Sequence, residues 1–329
     1  MSAGDDLAQV RGGSYAVSGG AGFIGSHLCR RLVALGARRV VAIDSLRYGD
    51  LSNLGETPAV TVLRHTLGSD DPALLGPALA DTDGLFHLAA EKHNQSIDSP
   101  GQVMRANIEG THALYAACVA AGVRRVVFSS SLYAYGRLAG PPMREDEVPQ
   151  PRTVYGISKL AGEHLLGHFA QRGELSGRAL RYFFVYGPRQ WAGMGYKSVI
   201  MKNAERLLRG EPPLIFGDGS QSLDYVFVDD VVDATLRAML VPNAAPSLVS
   251  PINVAAGRAV PVAELLERLC QVAGRPFAPV MEPADWTRGT SRSGSPDRAA
   301  TELGWRATTS LDEGLRRTWA FVRDLPRRS

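Results

Sequence analysis

The stretch VSGGAGFIG, residues 17–25, places four glycines within seven residues. Glycine costs conformational entropy on folding, so such a cluster is typical of a tight turn or of a backbone that approaches a ligand closely. The preceding run SYAVS, residues 14–18, predicts a buried strand. The following run predicts a helix that ends near Gly36, because apolar residues recur in it at helical spacing, at Ile24, Leu28, Leu32 and Leu35. The glycines therefore lie where a strand turns into a helix N-terminus, whose free N–H groups and dipole favour an anion such as a phosphate.

A second predicted strand, RRVVAID at residues 38–44, ends at Asp44, about twenty positions after the glycine turn. A carboxylate at this position can accept the hydroxyls of an adenosine ribose. The order strand, glycine turn, helix, strand and acid predicts a dinucleotide-binding unit, and the alternative is a glycine-rich turn that binds nothing. An acid here favours NAD over NADP because it would repel a 2′-phosphate, although Arg38, Arg39 and Arg47 lie close by in sequence.

Strand-like and helix-like runs alternate through about residue 185, with further strand-like runs at VTVLRH, GLFHLAA, RRVVFSSS and ALRYFFV. This alternation is typical of a parallel sheet with helices on both faces. We therefore expect an α/β fold, a Rossmann-type doubly wound parallel sheet with a smaller mixed α/β C-terminal substrate region. The expected division is an NAD-binding domain at residues 13–185, with return segments near 223–256, and a substrate-binding region at residues 186–329.

The composition, with 45% hydrophobic and 21% charged residues, is ordinary for a soluble globular protein. No apolar run approaches the roughly twenty residues that span a bilayer. Residues 1–13 carry two aspartates and no apolar signal-peptide core, so they predict a short disordered lead. A net charge of +3 with scattered arginines argues against nucleic-acid binding. The cysteines at positions 29, 118 and 270 are far apart and predict neither disulfides nor a metal site, so we expect a cytoplasmic protein without membrane contact.

The second dense signal is the run Tyr155-Gly-Ile-Ser-Lys159, with SSSLYAYG at residues 129–136 ahead of it. Tyr155 and Lys159 are four residues apart, so on a helix both project from one face. Because an ammonium group favours a nearby phenolate, we expect Lys159 to lower the pKa of Tyr155 toward a value useful for proton transfer. Ser131, at a predicted strand end, can bond a substrate hydroxyl and complete a Ser/Tyr/Lys set. The pair alone is a weak signal, and it gains weight from the dinucleotide unit upstream.

These motifs resemble those of the extended short-chain dehydrogenase/reductases, in particular the nucleotide-sugar epimerase/dehydratase group. The resemblance covers nearly the whole chain and includes GGAGFIGSHL, HLAA, SSS, YGISK, LRYFFVYGPRQ, GDGSQSLDYVFVDDVVDA, INVAAG and ELGW. It implies a permanently bound NAD, a nucleotide-diphosphate sugar under the C-terminal region, and oxidation of a sugar carbon by hydride transfer as the opening step.

The resemblance also implies roles for single residues. Ser131 orients a sugar hydroxyl, Tyr155 is the base that removes its proton, and Lys159 holds the nicotinamide ribose. The implied cofactor contacts are Gly19, Gly22, Phe23, Ile24, Gly25, Asp44, Ala89, Ala90, Tyr155 and Lys159. Members of the family often dimerise through two long helices beside the sheet, here expected near residues 99–121 and 153–172, which implies a homodimer.

The chain departs from the family pattern at positions expected to face the substrate. The 4,6-dehydratase branch carries an Asp-Glu pair where this chain has Leu132 and Tyr133, which argues against standard 4,6-dehydration and leaves Tyr133 as a packing residue or a proton donor. Phe184 stands where the family usually has asparagine, and Leu223 where it usually has an arginine that contacts the diphosphate. The expected replacement cation is Arg288, and the other candidates are Arg189, Lys197, Lys202 and Arg292.

Other polar residues near these motifs have less defined roles. His87 is expected to be a hydrogen-bonded core histidine, whereas Lys92, His93 and Asn94 are candidates to face cofactor or substrate. Thr66 stands roughly where the family carries an aspartate that contacts adenine, and the aspartates at positions 70 and 71 lie nearby.

Together these features predict NAD-dependent epimerisation of a nucleotide-activated sugar through a transient keto-sugar, oxidised at C4. One alternative is an atypical NAD-dependent dehydratase or oxidoreductase on a related sugar nucleotide or nucleoside. The other is a non-catalytic NAD-binding sensor, against which the intact Ser131, Tyr155 and Lys159 argue.

Overall fold

The computed structural model of the chain describes residues 6–190, 197–243, 249–284 and 287–325. Its strands are β1 (Ser14–Ser18), β2 (Arg39–Asp44), β3 (Val60–Arg64), β4 (Gly84–His87), β5 (Arg125–Ser131), β6 (Ser176–Tyr182), β7 (Phe184–Tyr186), β8 (Leu214–Phe216), β9 (Ser222–Phe227), β10 (Pro251–Val254), β11 (Ala259–Pro261), β12 (Val280–Glu282) and β13 (Ser291–Arg292).

Its α-helices are α1 (Phe23–Ala34), α2 (Leu75–Leu79), α3 (Gln95–Asp98), α4 (Pro100–Met104), α5 (Gly110–Ala120), α6 (Val154–Gln171), α7 (Val199–Leu208), α8 (Val228–Leu240), α9 (Val262–Ala273), α10 (Asp297–Leu303) and α11 (Leu311–Asp324). Short 3₁₀ helices span Asp6–Val10, Leu51–Leu54, Pro72–Leu74 and Leu132–Ala134, and a π-helical turn at Arg105–Glu109 joins α4 to α5.

The large sheet has seven parallel strands in the order β10-β6-β5-β4-β1-β2-β3. Ser18, at the end of β1, pairs with Ile43 of β2 on one side and with His87 of β4 on the other. The carboxyl ends of these strands are therefore level, and the strand order reverses at β1. In doubly wound sheets ligands bind in the crevice at such a reversal, so the topology places the site above β1 and β4.

Helices cover both faces of this sheet, which confirms the predicted doubly wound α/β fold. On one face, Leu28 of α1 and Val231 of α8 belong to one buried apolar cluster with Val17. On the other face, Leu114 of α5 and Leu166 of α6 are buried in a second cluster. Because successive residues of a buried strand point to opposite faces, β1 is buried along its whole length, and its central residues Tyr15, Ala16 and Val17 contribute apolar side chains to both faces.

The C-terminal part builds a smaller mixed region over the carboxyl edge of the large sheet. Strand β9 pairs with β7 and β13 in parallel and with β11 antiparallel, and β8 pairs with β12. Helices α7, α9 and α11 bury a third apolar cluster there, which includes Ile200, Leu266 and Leu315. Between these pieces the chain returns to the large sheet, because α8 packs on it and β10 pairs with β6.

Two sequence-based expectations differ from the structure. Residues 6–10 form a 3₁₀ helix instead of continuing a disordered lead, because Leu7 and Val10 are buried in the core that α8 also contributes to. The predicted strand ALRYFFV is divided into β6 and β7, because the chain leaves the large sheet at Phe183 and pairs with β9. Within the described ranges, the helices are all too short or too polar to cross a membrane.

Candidate active site

The glycine turn joins β1 to α1 at the carboxyl end of the large sheet. Gly19 has a φ of +74°, and a Cβ on it would lie 2.8 Å from the backbone nitrogen of Ala89. A Cβ on Gly25 would overlap the carbonyl oxygen of Gly19. Side chains are thus excluded from both positions, and the first turn of α1, which starts after Gly22, opens directly onto a cavity. Free N–H groups at this helix end fit the pyrophosphate of a dinucleotide.

Asp44 ends β2 on the other side of the turn. Its carboxylate accepts hydrogen bonds from the backbone N–H groups of Ala21 at 2.9 Å and Leu46 at 2.8 Å. Burial raises the pKa of Asp44, and the backbone hydrogen bonds oppose that rise. The carboxylate is held in place with lone pairs left toward the cavity that it lines, so it fits the adenosine ribose hydroxyls of NAD.

The Ser/Tyr/Lys set meets at the carboxyl end of β5. Ser131 is the last residue of β5, and its hydroxyl is hydrogen-bonded to Tyr155. Helix α6 begins at Val154, because the side chain of Thr153 accepts a hydrogen bond from the N–H of Gly156 at 3.0 Å. Tyr155 and Lys159 lie in the first two turns of this helix, near the end of β5.

Lys159 is only 3% exposed, and its ammonium donates to the carbonyl oxygen of Ser129 at 2.7 Å. The ammonium nitrogen lies 5.7 Å from the centre of the Tyr155 ring. Burial lowers the pKa of Lys159 to about 7, against the opposing charge of Glu163. Near neutral pH both the charged and the neutral form of this lysine are therefore populated.

The predicted lowering of the Tyr155 pKa by Lys159 is wrong for the protein alone. The pKa of Tyr155 is raised to about 12, mainly by burial, with the hydrogen bond to Ser131 lowering it and the neighbouring Tyr133 raising it. The reason is that desolvation disfavours both charged forms at once, so the phenol gains little from a buried lysine held on a backbone carbonyl.

One cavity of about 850 Å³ runs from the glycine turn to β9. The candidate site residues brought together in its lining are Gly19, Gly22, Phe23, Ile24, Gly25, Asp44, Ala89, Ala90, Ser131, Tyr133, Tyr155, Lys159, Phe184, Arg189 and Leu223. Arg288 is not among the lining residues, because it lies exposed on the turn before β13.

The other candidate cations differ in their surroundings. Arg189 lines the cavity with a φ of +65°, and burial lowers its pKa to about 10. Lys197 is paired with both carboxylate oxygens of Glu205, at 2.7 and 2.8 Å. Lys202 lies over the ring of Phe216 at 4.7 Å from its centre. Arg292 also lines the cavity, and it is buried.

The two histidines near β4 have different surroundings. His87 is fully buried, and its ring nitrogens are hydrogen-bonded to Ser18 at 2.7 Å and Thr111 at 2.9 Å, as expected for a core histidine. Burial and the charge of Lys159 lower the pKa of His87 to about 3. His93 lines the cavity together with Lys92 and Asn94, and burial lowers its pKa as well.

Near the expected adenine end, Thr66 lines the cavity, and Asp70 accepts a hydrogen bond from its backbone N–H at 2.7 Å. Asp71 instead caps the short helix that follows, accepting from Ala73. Neither aspartate is in the cavity lining.

Sequence reasoning missed a polar cluster that bridges the loops after β2 and β4. Glu91 is buried and accepts hydrogen bonds from the Tyr48 hydroxyl at 3.0 Å, from Arg47 at 3.1 Å and from Gln102 at 3.0 Å. Lys92 lies 4.4 Å from the centre of the Tyr48 ring. Both loops follow carboxyl ends of sheet strands, where ligands bind, but no spacing in the sequence pairs them.

The glycine turn, the acid after β2 and the Ser/Tyr/Lys set on one cavity define the class of dinucleotide-dependent oxidoreductases with a tyrosine base. Comparison with known proteins narrows this class. Residues 15–255 match the family described as NAD dependent epimerase/dehydratase family. The chain belongs to the NAD-dependent epimerase/dehydratase family, and it is an NAD-dependent enzyme.

Similar proteins cover nearly the full chain. UDP-glucose 4-epimerase of Mycolicibacterium smegmatis is 36% identical over 314 residues, which are 94% of this chain and 98% of the relative. The solved UDP-glucose 4-epimerase of Thermotoga maritima with UDP-glucose has a TM-score of 0.86 and 34% identity, over 94% of this chain and 98% of that one. MoeE5, solved with UDP-glucuronic acid and NAD, has a TM-score of 0.82 and 36% identity, over 94% and 99%.

These similarities confirm the family, the fold class and the NAD dependence expected from the sequence. The expected class of reaction, epimerisation of nucleotide sugars, agrees with the activities in these names. The roles of single residues are not tested by the comparisons and remain predictions.

Proposed function

We propose that this chain epimerises a nucleotide-activated sugar through transient oxidation at C4. The observation that carries the proposal is that Ser131, Tyr155 and Lys159 meet at one part of a cavity that also opens on the glycine turn. The similar proteins that are UDP-glucose 4-epimerases support both the nucleotide sugar and the C4 position.

The chain's own residues supply binding and proton transfer. Bound NAD supplies the acceptor and the donor of hydride. Tyr155 takes the proton of the C4 hydroxyl during oxidation and returns it during reduction, while the Ser131 hydroxyl holds the same oxygen. Lys159 binds the nicotinamide ribose. Because the hydride returns to the opposite face of the C4 carbonyl and the proton to its oxygen, the product is the C4 epimer, with no water lost and no net oxidation.

The carboxylates of the cavity favour epimerisation over 4,6-dehydration. Dehydration needs an acid and a base beside the reacting carbons in addition to the tyrosine. In the described part of the lining the carboxylates are Asp44 and Glu91. Asp44 faces the expected adenosine ribose, and Glu91 is bound by Arg47 and Tyr48, so neither is available at Ser131.

A second candidate, an atypical dehydratase, is favoured by one observation. The rings of His93 and Tyr133 are stacked, with centres 4.4 Å apart and planes 28° apart, and the Tyr133 ring lies 5.7 Å from that of Tyr155. This pair puts two titratable side chains beside Tyr155, and one of them, Tyr133, stands at a position where the dehydratase branch has a carboxylate. Loss of water from the substrate would favour this candidate over the first.

The test is a product screen with the purified protein and NAD. UDP-, dTDP- and GDP-sugars are each incubated with the protein, and products are identified by proton NMR and mass spectrometry. We expect a new sugar isomer of unchanged mass, which also identifies the substrate. Tyr155→Phe is the matched control, because it keeps the aromatic ring and removes the hydroxyl. NAD binding with no product from any sugar would contradict the proposal and favour the sensor alternative.

We also propose a homodimer in the cytoplasm. The helical stretch from α4 to α5 lies beside α6, and the apolar side chains of Met104 on α4 and Ile157 on α6 are 50% and 49% exposed. A neighbouring apolar residue, Ile97, is also exposed. Three buried free cysteines are consistent with a reducing compartment.

The dimer is tested by Ile157→Glu, which places a charge in the proposed apolar interface. We expect a dimer for the unmodified protein and a monomer for the variant by analytical ultracentrifugation. Val148→Glu is the control, because this loop valine is more exposed but lies outside both helices. A monomeric unmodified protein would contradict the proposed assembly.

A further inference from the structure

The chain lacks a cation at Leu223, but the neighbouring strand carries one at the paired position. Strand β13 runs parallel to β9, and Arg292 is the register partner of Leu223. Neighbouring strands are about 4.8 Å apart, and paired residues point to the same face of a sheet. The Arg292 side chain therefore emerges one strand away from Leu223, on the same face of the small sheet, and it lines the same cavity.

Aromatic rings fix the position of this arginine. Arg292 is 2% exposed, and its guanidinium carbon lies 4.9 Å from the centre of the Phe184 ring and 5.6 Å from that of Tyr133. The planar guanidinium fork of an arginine matches the geometry of phosphate or carboxylate oxygens, and it also packs on aromatic faces. Phe184 stands where an asparagine was expected. The cavity wall therefore lacks a polar amide at this position and presents instead an aromatic ring on which the guanidinium of Arg292 packs.

The charge of Arg292 acts at the reacting end of the cavity. Tyr133, which Arg292 contacts, lies 5.7 Å from the Tyr155 ring by ring centres. The same charge helps to lower the pKa of His93, after the larger effect of burial. Its field therefore reaches the space beside the tyrosine base, where a substrate sugar and its attached groups must lie.

Three of the other candidate cations, Lys197, Arg288 and Lys202, fit this position less well. Lys197 is neutralised by Glu205, whose carboxylate oxygens are within hydrogen-bond distance. Arg288 is exposed and outside the cavity lining. Lys202 lies in the lining over Phe216 of β8, a strand of the separate two-stranded sheet.

We propose that Arg292 replaces, from the adjacent strand, the cation missing at Leu223, and that it binds an anionic oxygen group of the substrate. In a nucleotide-activated sugar that group is a phosphate of the diphosphate or a carboxylate on the sugar. The inference rests on the proposed function and names the residue that makes this chain's substrate site different from the family pattern.

The test measures binding and not turnover. The NAD-loaded protein is titrated by calorimetry with UDP, dTDP, UDP-glucose and UDP-glucuronate. Arg292→Met removes the charge and keeps the stem that packs on Phe184, and Arg288→Met is the matched control for a nearby exposed arginine. We expect Arg292→Met to weaken binding about tenfold or more and Arg288→Met to change it less than about twofold.

The ligands distinguish the two sources of the anion. If Arg292 binds the diphosphate, Arg292→Met weakens the binding of UDP and dTDP, which carry no sugar beyond the nucleoside. The double variant Leu223→Arg/Arg292→Met then recovers most of that affinity. If Arg292 binds a sugar carboxylate, only the binding of UDP-glucuronate is weakened, and the double variant does not recover that affinity. Either result supports anion binding by Arg292.

Unchanged affinity of Arg292→Met for every ligand would overturn the inference, and so would a loss seen only with Arg288→Met. An unmodified protein that binds none of the four nucleotides would overturn the proposed function itself. Retained NAD and an unchanged melting temperature check that each variant is folded. If Arg292→Met does not fold, Arg292→Lys keeps the charge without the fork, and unchanged binding by that variant would contradict a role for the fork.

Discussion

The most informative perturbation is the change Ser131→Ala, because it acts on the base through one hydrogen bond. Among the described residues, Ser131 supplies the interaction that lowers the pKa of Tyr155, against a burial effect that raises it to about 12. A hydrogen bond to a charged group contributes about 1.5 to 3 kcal/mol, which corresponds to about one to two pKa units. Removing the Ser131 hydroxyl should therefore raise the pKa of Tyr155 by that amount.

The direction of the change in activity follows from the role of Tyr155 as the base, which must be deprotonated to accept the sugar proton. In the NAD-loaded enzyme the positive charge of the nicotinamide ring would lower the pKa of Tyr155 from its value in the protein alone. Ser131→Ala would move the rising limb of the kcat/KM profile to higher pH by about one to two pH units. Activity at a fixed pH on that limb falls about ten- to hundredfold, and it recovers above the shifted limb. The assay is conversion of the nucleotide sugar, followed by proton NMR from pH 5.5 to 10 with NAD content checked at each pH.

Two control variants make the result specific. Ser130→Ala removes the neighbouring hydroxyl, which bonds Glu163 instead of Tyr155, and should leave the limb in place. Tyr155→Phe should abolish the limb together with most of the activity. A Ser131→Ala profile whose rising limb lies at the same pH as in the unmodified protein, whether or not the activity falls, would refute the reasoning.

Two further predictions concern the glycine turn and the support of the strand end. Gly25→Ala places a Cβ against the carbonyl of Gly19, and we expect loss of co-purifying NAD and about 3 kcal/mol or more of stability, whereas Gly167→Ala, in open space on α6, should be neutral or slightly stabilising. Glu163→Gln breaks a buried pair with Arg181, whose two nitrogens lie 2.8 and 2.9 Å from the carboxylate, and should cost about 3 to 5 kcal/mol by urea denaturation. Retained NAD in Gly25→Ala, or a cost below about 1 kcal/mol in Glu163→Gln, would contradict these accounts.

The sequence was sufficient to predict those features of the fold and site that depend on short-range patterns. The glycine turn follows from residues 17–25 because strand, turn and helix are consecutive there. The shared face of Tyr155 and Lys159 follows from a four-residue spacing on one helix. Doubly wound topology follows from the alternation of strand and helix, since parallel strands need crossover helices.

Features set by long-range packing could not be predicted in the same way. The pKa of Tyr155 depends on burial by several elements, which no local spacing encodes. The pairing of Arg292 with Leu223 joins positions far apart in sequence, so no local pattern favours Arg292 over Arg288, which lies four residues before it. Leu7 and Val10 likewise become ordered because a distant helix covers them.

The central claim is that a proton and a hydride leave the sugar at C4 and return to it. The most direct measurement incubates C4-deuterated substrate with the protein and NAD in ordinary water, and the unlabelled substrate in deuterated water. Epimerisation predicts an isomer that keeps its deuterium at C4 in the first experiment and gains no carbon-bound deuterium in the second. Loss of water, movement of the label to another carbon, or deuterium from solvent beside C4 would contradict it and identify dehydration instead.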